Sequence, residues 1–138
     1  MHDDELRTKA AIEQVYIRYC DLIDDKAFDR LDEVFTHDTI GRYALPGGVF
    51  SETRGLDMLI GLMHANLGAA SNCGATHHNV GNFRITLAGE RAKARVRYYA
   101  VHRGVGDFPV RRHILPTSNS ARRENRRPRD APHNSALA

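Results

Sequence analysis

The stretch GATHHNVGNFRITLAGERAKARVRYYAVHR, residues 74–103, decides the fold class of this chain. It contains two segments of strand-like composition, joined by a short polar turn at 88–91. In the second segment, one face carries Ala94, Val96, Tyr98, Ala100 and His102, and the other carries Lys93, Arg95, Arg97 and Arg103. Because successive side chains of a strand point to opposite sides, this alternation predicts a long antiparallel hairpin with an inner face and a basic outer face.

Helical periodicity dominates the chain before the hairpin. A first amphipathic helix is predicted from apolar residues at helical spacing, namely Ile12, Val15, Tyr16, Tyr19, Leu22 and Ile23. A second short helix fits AFDRLDEVF (27–35), and a third fits GLDMLIGLMHANLG (55–68). Strands are predicted at 36–45 and 49–54, around a Pro-Gly-Gly turn. The order α-α-β-β-α-β-β indicates an α+β domain, with about three helices on one face of a curved antiparallel sheet.

Composition restricts the class of protein. With 138 residues and a hydrophobic fraction of 41%, the chain is predicted to form one globular domain. No apolar run approaches the length of a membrane span, and the acidic start does not resemble a secretory signal. Cys20 and Cys73 fit no metal spacing, and no nucleotide motif is present. We therefore expect a cytoplasmic protein with no cofactor, no metal and no membrane partner.

The periodic pattern stops near Phe108, so we place the domain at 1–108 and a basic tail at 109–138. Residues 111–138 contain seven arginines against Glu124 and Asp130, a charge of +5, whereas residues 1–110 carry 13 Lys+Arg against 15 Asp+Glu, or −2. The tail has one apolar cluster and no aromatic residue, so it is predicted to be disordered or irregular. Without interleaved aromatic residues, binding of nucleic acid is not expected.

Three stretches resemble the SnoaL-like branch of the nuclear transport factor 2-like superfamily, over about residues 6–103. They are AAIEQVYIRYCDLIDDKAFDRLDEVFTHD, YALPGGVFSETRGLDML and GATHHNVGNFRITLAGERAKARVRYYA. The first contains a helix followed by Asp, a short break, an aromatic residue and L-x-x-x-F-x-x-D; the third contains T-H-H-x-x-x-N. The resemblance implies a cone-shaped α+β barrel around a pocket. Family members continue with two further long strands, so it also implies that the C-terminal strands are missing or altered here.

The resemblance places a catalytic pair on Asp24 and His78. His78 would be the general base, and Asp24 would hold its ring and stabilise the imidazolium. The positions implied or predicted to line the pocket are Tyr19, Tyr43, Tyr98 and His102. The implied activity is that of a cofactor-independent lyase or isomerase, such as a dehydratase or dehydrohalogenase, acting on a small hydrophobic, cyclic substrate. A homo-oligomer, dimer or trimer, is usual in the family and is expected here.

Elementary geometry sets two conditions on this pair. By strict alternation His78 faces opposite to Phe83, and a bulge at Gly81 would reverse that. Asp24 lies about 100° from the centre of the apolar stripe, so it reaches a pocket only if the helix ends or turns near Ile23.

Other interpretations of these residues stay open. Asp24 is equally well a solvated acid at a helix end, and His102 a strand-end residue near water. A metal pair formed by His77 and His78 is disfavoured, because adjacent strand residues point in opposite directions. Besides the enzyme, the chain can be a non-catalytic small-molecule-binding or accessory subunit of the same fold, for which Asp24 should lie on the surface. It can also be an inactive relative with a frame-altered tail.

Overall fold

The computed structural model describes residues 2–44, 47–48, 50–105 and 111–114. In chain order the elements are α1 (His2–Asp24), a 3-10 helix (Phe28–Glu33), β1 (Ile40–Ala44), β2 (Phe50–Arg54), α2 (Leu56–Leu67), β3 (Cys73–Ala88), β4 (Arg91–Gly104) and β5 (Arg111–Ile114). The predicted α-α-β-β-α-β-β order is confirmed, with a 3-10 helix as the second helix and one further short strand. Among the described residues, no helix is long and apolar enough to cross a membrane.

The strands form two antiparallel sheets in the described part of the chain. β1 pairs with β2, and β4 lies between β3 and β5. The tail after Phe108 was predicted to be disordered or irregular. Within it, residues 111–114 form the short strand β5, whose backbone pairs with Tyr99–His102. Ladder hydrogen bonds use main-chain groups, so an edge strand can recruit a segment of basic composition. The segments 106–110 and 115–138 lie outside the described residues.

A β-bulge interrupts β3 beside Asn82. Gly81 pairs with Arg97 and Arg84 pairs with Arg95, so β3 advances three residues where β4 advances two. Asn82 has a φ of 53°, a left-handed conformation that asparagine tolerates better than most residues. The extra residue reverses the alternation, so His78 and Phe83 are both partly buried although they are five positions apart. The first geometric condition on His78 is therefore met.

The helix α1 ends at Asp24 in a Schellman motif. The backbone N–H of Ala27 donates to the carbonyl of Leu22 at 2.8 Å, and that of Lys26 donates to the carbonyl of Ile23 at 3.1 Å. Lys26 has a φ of 59°, the left-handed conformation that this motif requires after the last helical turn. The helix thus ends one residue after Ile23, and the second geometric condition is met.

The hydrophobic core lies mainly among the helices. Its buried members are Val15, Leu22, Ile23, Phe28, Leu31, Val34, Leu56, Leu59 and Met63. Helix α1 also packs against β3. On the inner face of the β3–β4 hairpin, Ala94 and Ala100 are buried, whereas Val80, Ile85 and Val96 are only half-buried. The described elements therefore leave part of an apolar sheet face accessible beside the end of α1.

Candidate active site

The carboxylate of Asp24 contacts the imidazole of His78. His78 Nδ1 lies 2.7 Å from Asp24 Oδ1, and the backbone N–H of His78 donates to Oδ2 at 2.9 Å. The hydroxyl of Thr76 donates to Oδ1, also at 2.9 Å. The side chains of His78 and Asp24 are only 10% and 22% exposed. The structure thus brings together the two residues that the resemblance paired, at the junction between α1 and β3.

The protonation state of Asp24 follows from these contacts. Burial raises the pKa of Asp24, but the hydrogen bonds from the His78 ring, the His78 backbone and Thr76 together outweigh burial and lower it below the usual value. Asp24 is therefore ionised at neutral pH, and an ionised carboxylate only accepts hydrogen bonds.

The tautomer of His78 follows in turn. Because Asp24 can only accept, the ring nitrogen that faces it, Nδ1, must carry a proton. In the neutral ring this leaves a lone pair on Nε2, which is the form that a general base needs.

His102 lies next to this pair. It is the register partner of Thr76 across the β3–β4 ladder and is half-buried. The rings of His102 and His78 are 5.4 Å apart, centroid to centroid, at an interplanar angle of 50°. The ring of His102, one of the four residues predicted to line the pocket, is therefore in contact with the ring of His78.

The three predicted tyrosines occupy different places. Tyr19 is half-buried and meets the ring of Phe35 edge-on, with 5.6 Å between the centroids. Tyr43 packs against the helical core. Tyr98 is half-buried on β4, opposite Val80. The roles of these hydroxyl groups remain predictions.

Sequence reasoning missed Thr76, which donates a hydrogen bond to Asp24. A signal for it existed, since residues two apart on a strand share a face and Thr76 precedes His78 by two. His77, between them, is exposed, and its Nε2 lies 3.0 Å from the side-chain amide of Asn79. In the described ranges, no group of three His, Cys, Asp or Glu residues could hold a metal ion.

Cys20 lies one helical turn before Asp24 and is buried. Burial raises the pKa of its thiol to about 11, and the negative charges of Asp24 and Asp21 add to this increase. Since the thiolate is the reactive form of cysteine, a thiol that stays protonated at neutral pH is a poor nucleophile. Cys20 is therefore a poor candidate for a nucleophile beside Asp24.

The SnoaL-like domain family matches the chain over residues 4–125. The chain belongs to the SnoaL-like domain family. Uncharacterized proteins of Mycobacterium tuberculosis and Mycobacterium bovis are 28% identical to this family member over 92 residues, or 67% of the chain. The match spans 58% of the length of these relatives.

Solved structures share the fold of this SnoaL-like domain. A protein of Novosphingobium aromaticivorans named as a scytalone dehydratase superposes with a TM-score of 0.68 at 24% identity, covering 80% of this chain and 70% of its own. A protein of the same organism named as the β subunit of an aromatic-ring-hydroxylating dioxygenase gives 0.58 at 21% identity, with coverages of 79% and 74%. Identities this low establish the fold alone, and the shared fold confirms the predicted α+β architecture.

Proposed function

We propose that this SnoaL-like domain is a cofactor-independent lyase or isomerase that removes a proton from a small hydrophobic, cyclic substrate. The observation that carries the proposal is the 2.7 Å contact between His78 Nδ1 and an ionised Asp24. A histidine oriented by a carboxylate, with its second nitrogen unprotonated, is a common arrangement for proton abstraction near neutral pH.

In the proposed mechanism, Nε2 of His78 accepts a proton from a carbon next to a carbonyl group of the substrate. The imidazolium that forms is stabilised by Asp24, whose negative charge is already in place and needs no reorganisation. Tyr19 or Tyr43 would donate a hydrogen bond to the oxygen that gains charge. In a lyase, the electron pair then expels a leaving group from the neighbouring carbon; a departing hydroxide takes the proton from the imidazolium and leaves as water, whereas a halide leaves as the anion and the proton passes to solvent. In an isomerase, the imidazolium returns the proton to a different carbon.

The substrate class is inferred from the surroundings of the pair. The half-buried apolar side chains of Val80, Ile85 and Val96 extend along the same sheet face as His78. A face of this kind favours an apolar ligand with few polar groups, and those few would meet the histidine end. The neighbour named as a scytalone dehydratase is in keeping with a dehydration.

Solvent isotope exchange tests the proposal without knowledge of the product. A panel of cyclic ketones and β-hydroxy ketones is incubated with the protein in deuterated water, and loss of the acidic C–H signal is followed by NMR. His78→Gln should slow exchange by at least about 100-fold, because the base is removed. The matched control is His77→Gln, the same change at the adjacent exposed residue, which should leave exchange unchanged. Equal exchange rates in both variants would refute the role of His78.

The accessory-subunit alternative makes a different structural prediction. It places Asp24 at the surface, whereas the Asp24 side chain is 22% exposed and accepts three hydrogen bonds. The enzyme is therefore the better-supported proposal. A homo-oligomeric state, dimer or trimer, remains a prediction, and light scattering after size-exclusion chromatography measures it.

A further inference from the structure

Three arginines lie close together on the outer face of the β3–β4 hairpin. Arg84, Arg95 and Arg97 are exposed, and together with Asn82 and Phe83 they line an open groove of about 250 Å³. The candidate active site faces the other side of the same sheet. The groove is thus separate from the chemistry proposed above, and it does not depend on that proposal.

The register holds these like charges close to one another. Arg84 is directly opposite Arg95, and Arg97 lies two residues further along β4 on the same face. Directly opposed residues have Cβ atoms about 5 Å apart, and residues two apart on a strand are separated by about 7 Å. Like charges placed directly opposite each other destabilise a hairpin. A negative charge beside these arginines would offset this cost.

Within the described part of the chain, that compensation is missing. Among the described residues, no carboxylate lies within ion-pair distance of Arg84, Arg95 or Arg97. Four other arginines do have acidic partners: Arg18 and Arg30 pair with Glu33, and Arg42 and Arg54 pair with Glu52. Within the described part of the chain, the guanidinium groups of the groove are therefore available to an anion.

The bulge in β3 adds further hydrogen-bond donors to the groove. Asn82 and Phe83 have no partners in the β3–β4 register, so their backbone groups stand outside the regular ladder. The side-chain amide of Asn82 is exposed at the groove and can also donate. A guanidinium group offers a planar pair of donors that matches two oxygens of one phosphate.

We propose that this groove, defined by Arg84, Arg95, Arg97 and Asn82, binds a small multiply charged anion of the phosphate class. Its volume of about 250 Å³ is below that of pockets for drug-sized ligands and suits a phosphate or pyrophosphate group. Nucleic acid fits less well, because base stacking needs an exposed aromatic ring. Among the described residues that line the groove, the one aromatic residue is Phe83, which is half-buried and whose ring packs against Tyr16, 5.8 Å between centroids.

The test is a titration of the full chain with inorganic phosphate and with pyrophosphate, followed by calorimetry and by the NMR signals of the arginine side chains. Wild type should bind pyrophosphate saturably, with an affinity that falls as salt is added. The groove variant Arg84→Gln/Arg95→Gln/Arg97→Gln should weaken binding at least about tenfold, since it removes three charge-assisted donors. Its melting temperature should stay equal or rise, because like-charge repulsion is removed. If it does not fold, Arg95→Gln alone should still weaken binding.

Exposed arginines elsewhere on the described surface supply the matched control. Arg7→Gln/Arg42→Gln/Arg54→Gln removes the same number of charges at positions that do not line the groove, and it should change the affinity less than about twofold. An equal loss of affinity in both variants would overturn the proposal in favour of nonspecific attraction by net charge. The absence of saturation in wild type would overturn it as well. Tighter binding of a short single-stranded oligonucleotide than of pyrophosphate would reassign the surface to nucleic acid.

Discussion

Replacement of Asp24 by asparagine tests the hydrogen-bond network of the site directly. Asparagine has almost the same shape as aspartate, but one of its two terminal atoms becomes an NH₂ donor. Oδ1 of Asp24 accepts from Thr76 and from the His78 ring, and Oδ2 accepts from the His78 backbone. If the NH₂ group replaces Oδ2, it faces the backbone N–H of His78, which can only donate, and that hydrogen bond is lost. If it replaces Oδ1, it keeps its partners only when the Thr76 hydroxyl turns to accept and the His78 ring moves its proton from Nδ1 to Nε2. The variant therefore loses either the backbone hydrogen bond or the Nδ1-protonated tautomer, and in both cases the His78 ring loses its charged neighbour.

The size of the effect follows from the same contacts. A hydrogen bond to a charged group contributes about 1.5–3 kcal/mol. Because Asp24 remains 22% exposed, water can replace part of what is lost. We expect Asp24→Asn to lower the free energy of unfolding by about 1.5–3 kcal/mol. We also expect it to slow proton abstraction by about 10²–10⁴-fold, since the ring is no longer held in one tautomer.

The assay combines urea denaturation with NMR of protein labelled with ¹⁵N-histidine, at a pH where the imidazole is neutral. In wild type, His78 should be protonated at Nδ1, and in Asp24→Asn the two tautomers should mix. The control is Asp21→Asn, the same change at an exposed position of α1, which should stay within about 0.5 kcal/mol of wild type. Unchanged His78 nitrogen shifts in Asp24→Asn would refute the argument that Asp24 sets the tautomer.

The remaining predictions concern the stability of the chain in acid, the hydrogen bond of Thr76, the bulge of β3 and the end of α1. The pKa of Asp24 is lowered in the folded chain, so its stabilising effect is complete above the unfolded pKa of about 3.9 and is lost as pH falls through the folded pKa. The difference in unfolding free energy between wild type and Asp24→Asn, measured by urea denaturation at several pH values, should therefore become smaller in acid. A difference that grows in acid would contradict this prediction. Thr76→Val should raise the pKa of Asp24 and Thr76→Ser should restore it, as followed by NMR titration of the carboxyl carbon, because only the hydroxyl donates. Asn82→Val should cost about 1–2 kcal/mol in thermal unfolding and Asn82→Gly almost nothing, since a branched residue resists a φ of 53°; equal costs would exclude the left-handed bulge. Lys26→Ala and Lys26→Gly both lose the 2.5 Å hydrogen bond from Nζ to the Leu67 carbonyl, but only alanine resists the left-handed φ of 59°. Lys26→Ala should therefore be the less stable of the two in urea, and the reverse order would contradict the Schellman motif.

The strongest periodic signals of the sequence predicted the fold correctly. The alternation of residues 92–102 and the apolar spacing between Ile12 and Ile23 are direct consequences of burying one face of a strand and one face of a helix. The short strand β5 was not predictable in this way. Its pairing with β4 depends on main-chain hydrogen bonds to a strand edge, which leave no pattern in the side chains of residues 111–114.

The geometry of the site depended on two backbone features without a glycine signature. Gly81 looked like the natural place for the bulge, yet the residue with positive φ is Asn82. Helices that end in a left-handed residue usually place glycine there, and here the position is Lys26. The sequence thus showed that contact between Asp24 and His78 requires a bulge in β3 and an end of α1 near Ile23. Local residue preferences could not show that the chain has both features.

The contact between Asp24 and His78 joins residues that are 54 positions apart in the sequence. Closing a loop of this length costs entropy that only tertiary packing can offset, so a partly folded chain cannot hold the contact. The pair should therefore be absent until the β3–β4 hairpin has docked on α1. The NMR signal of the His78 ring should then report a late step of folding. Formation of the Asp24–His78 pair and completion of the fold should be observed together.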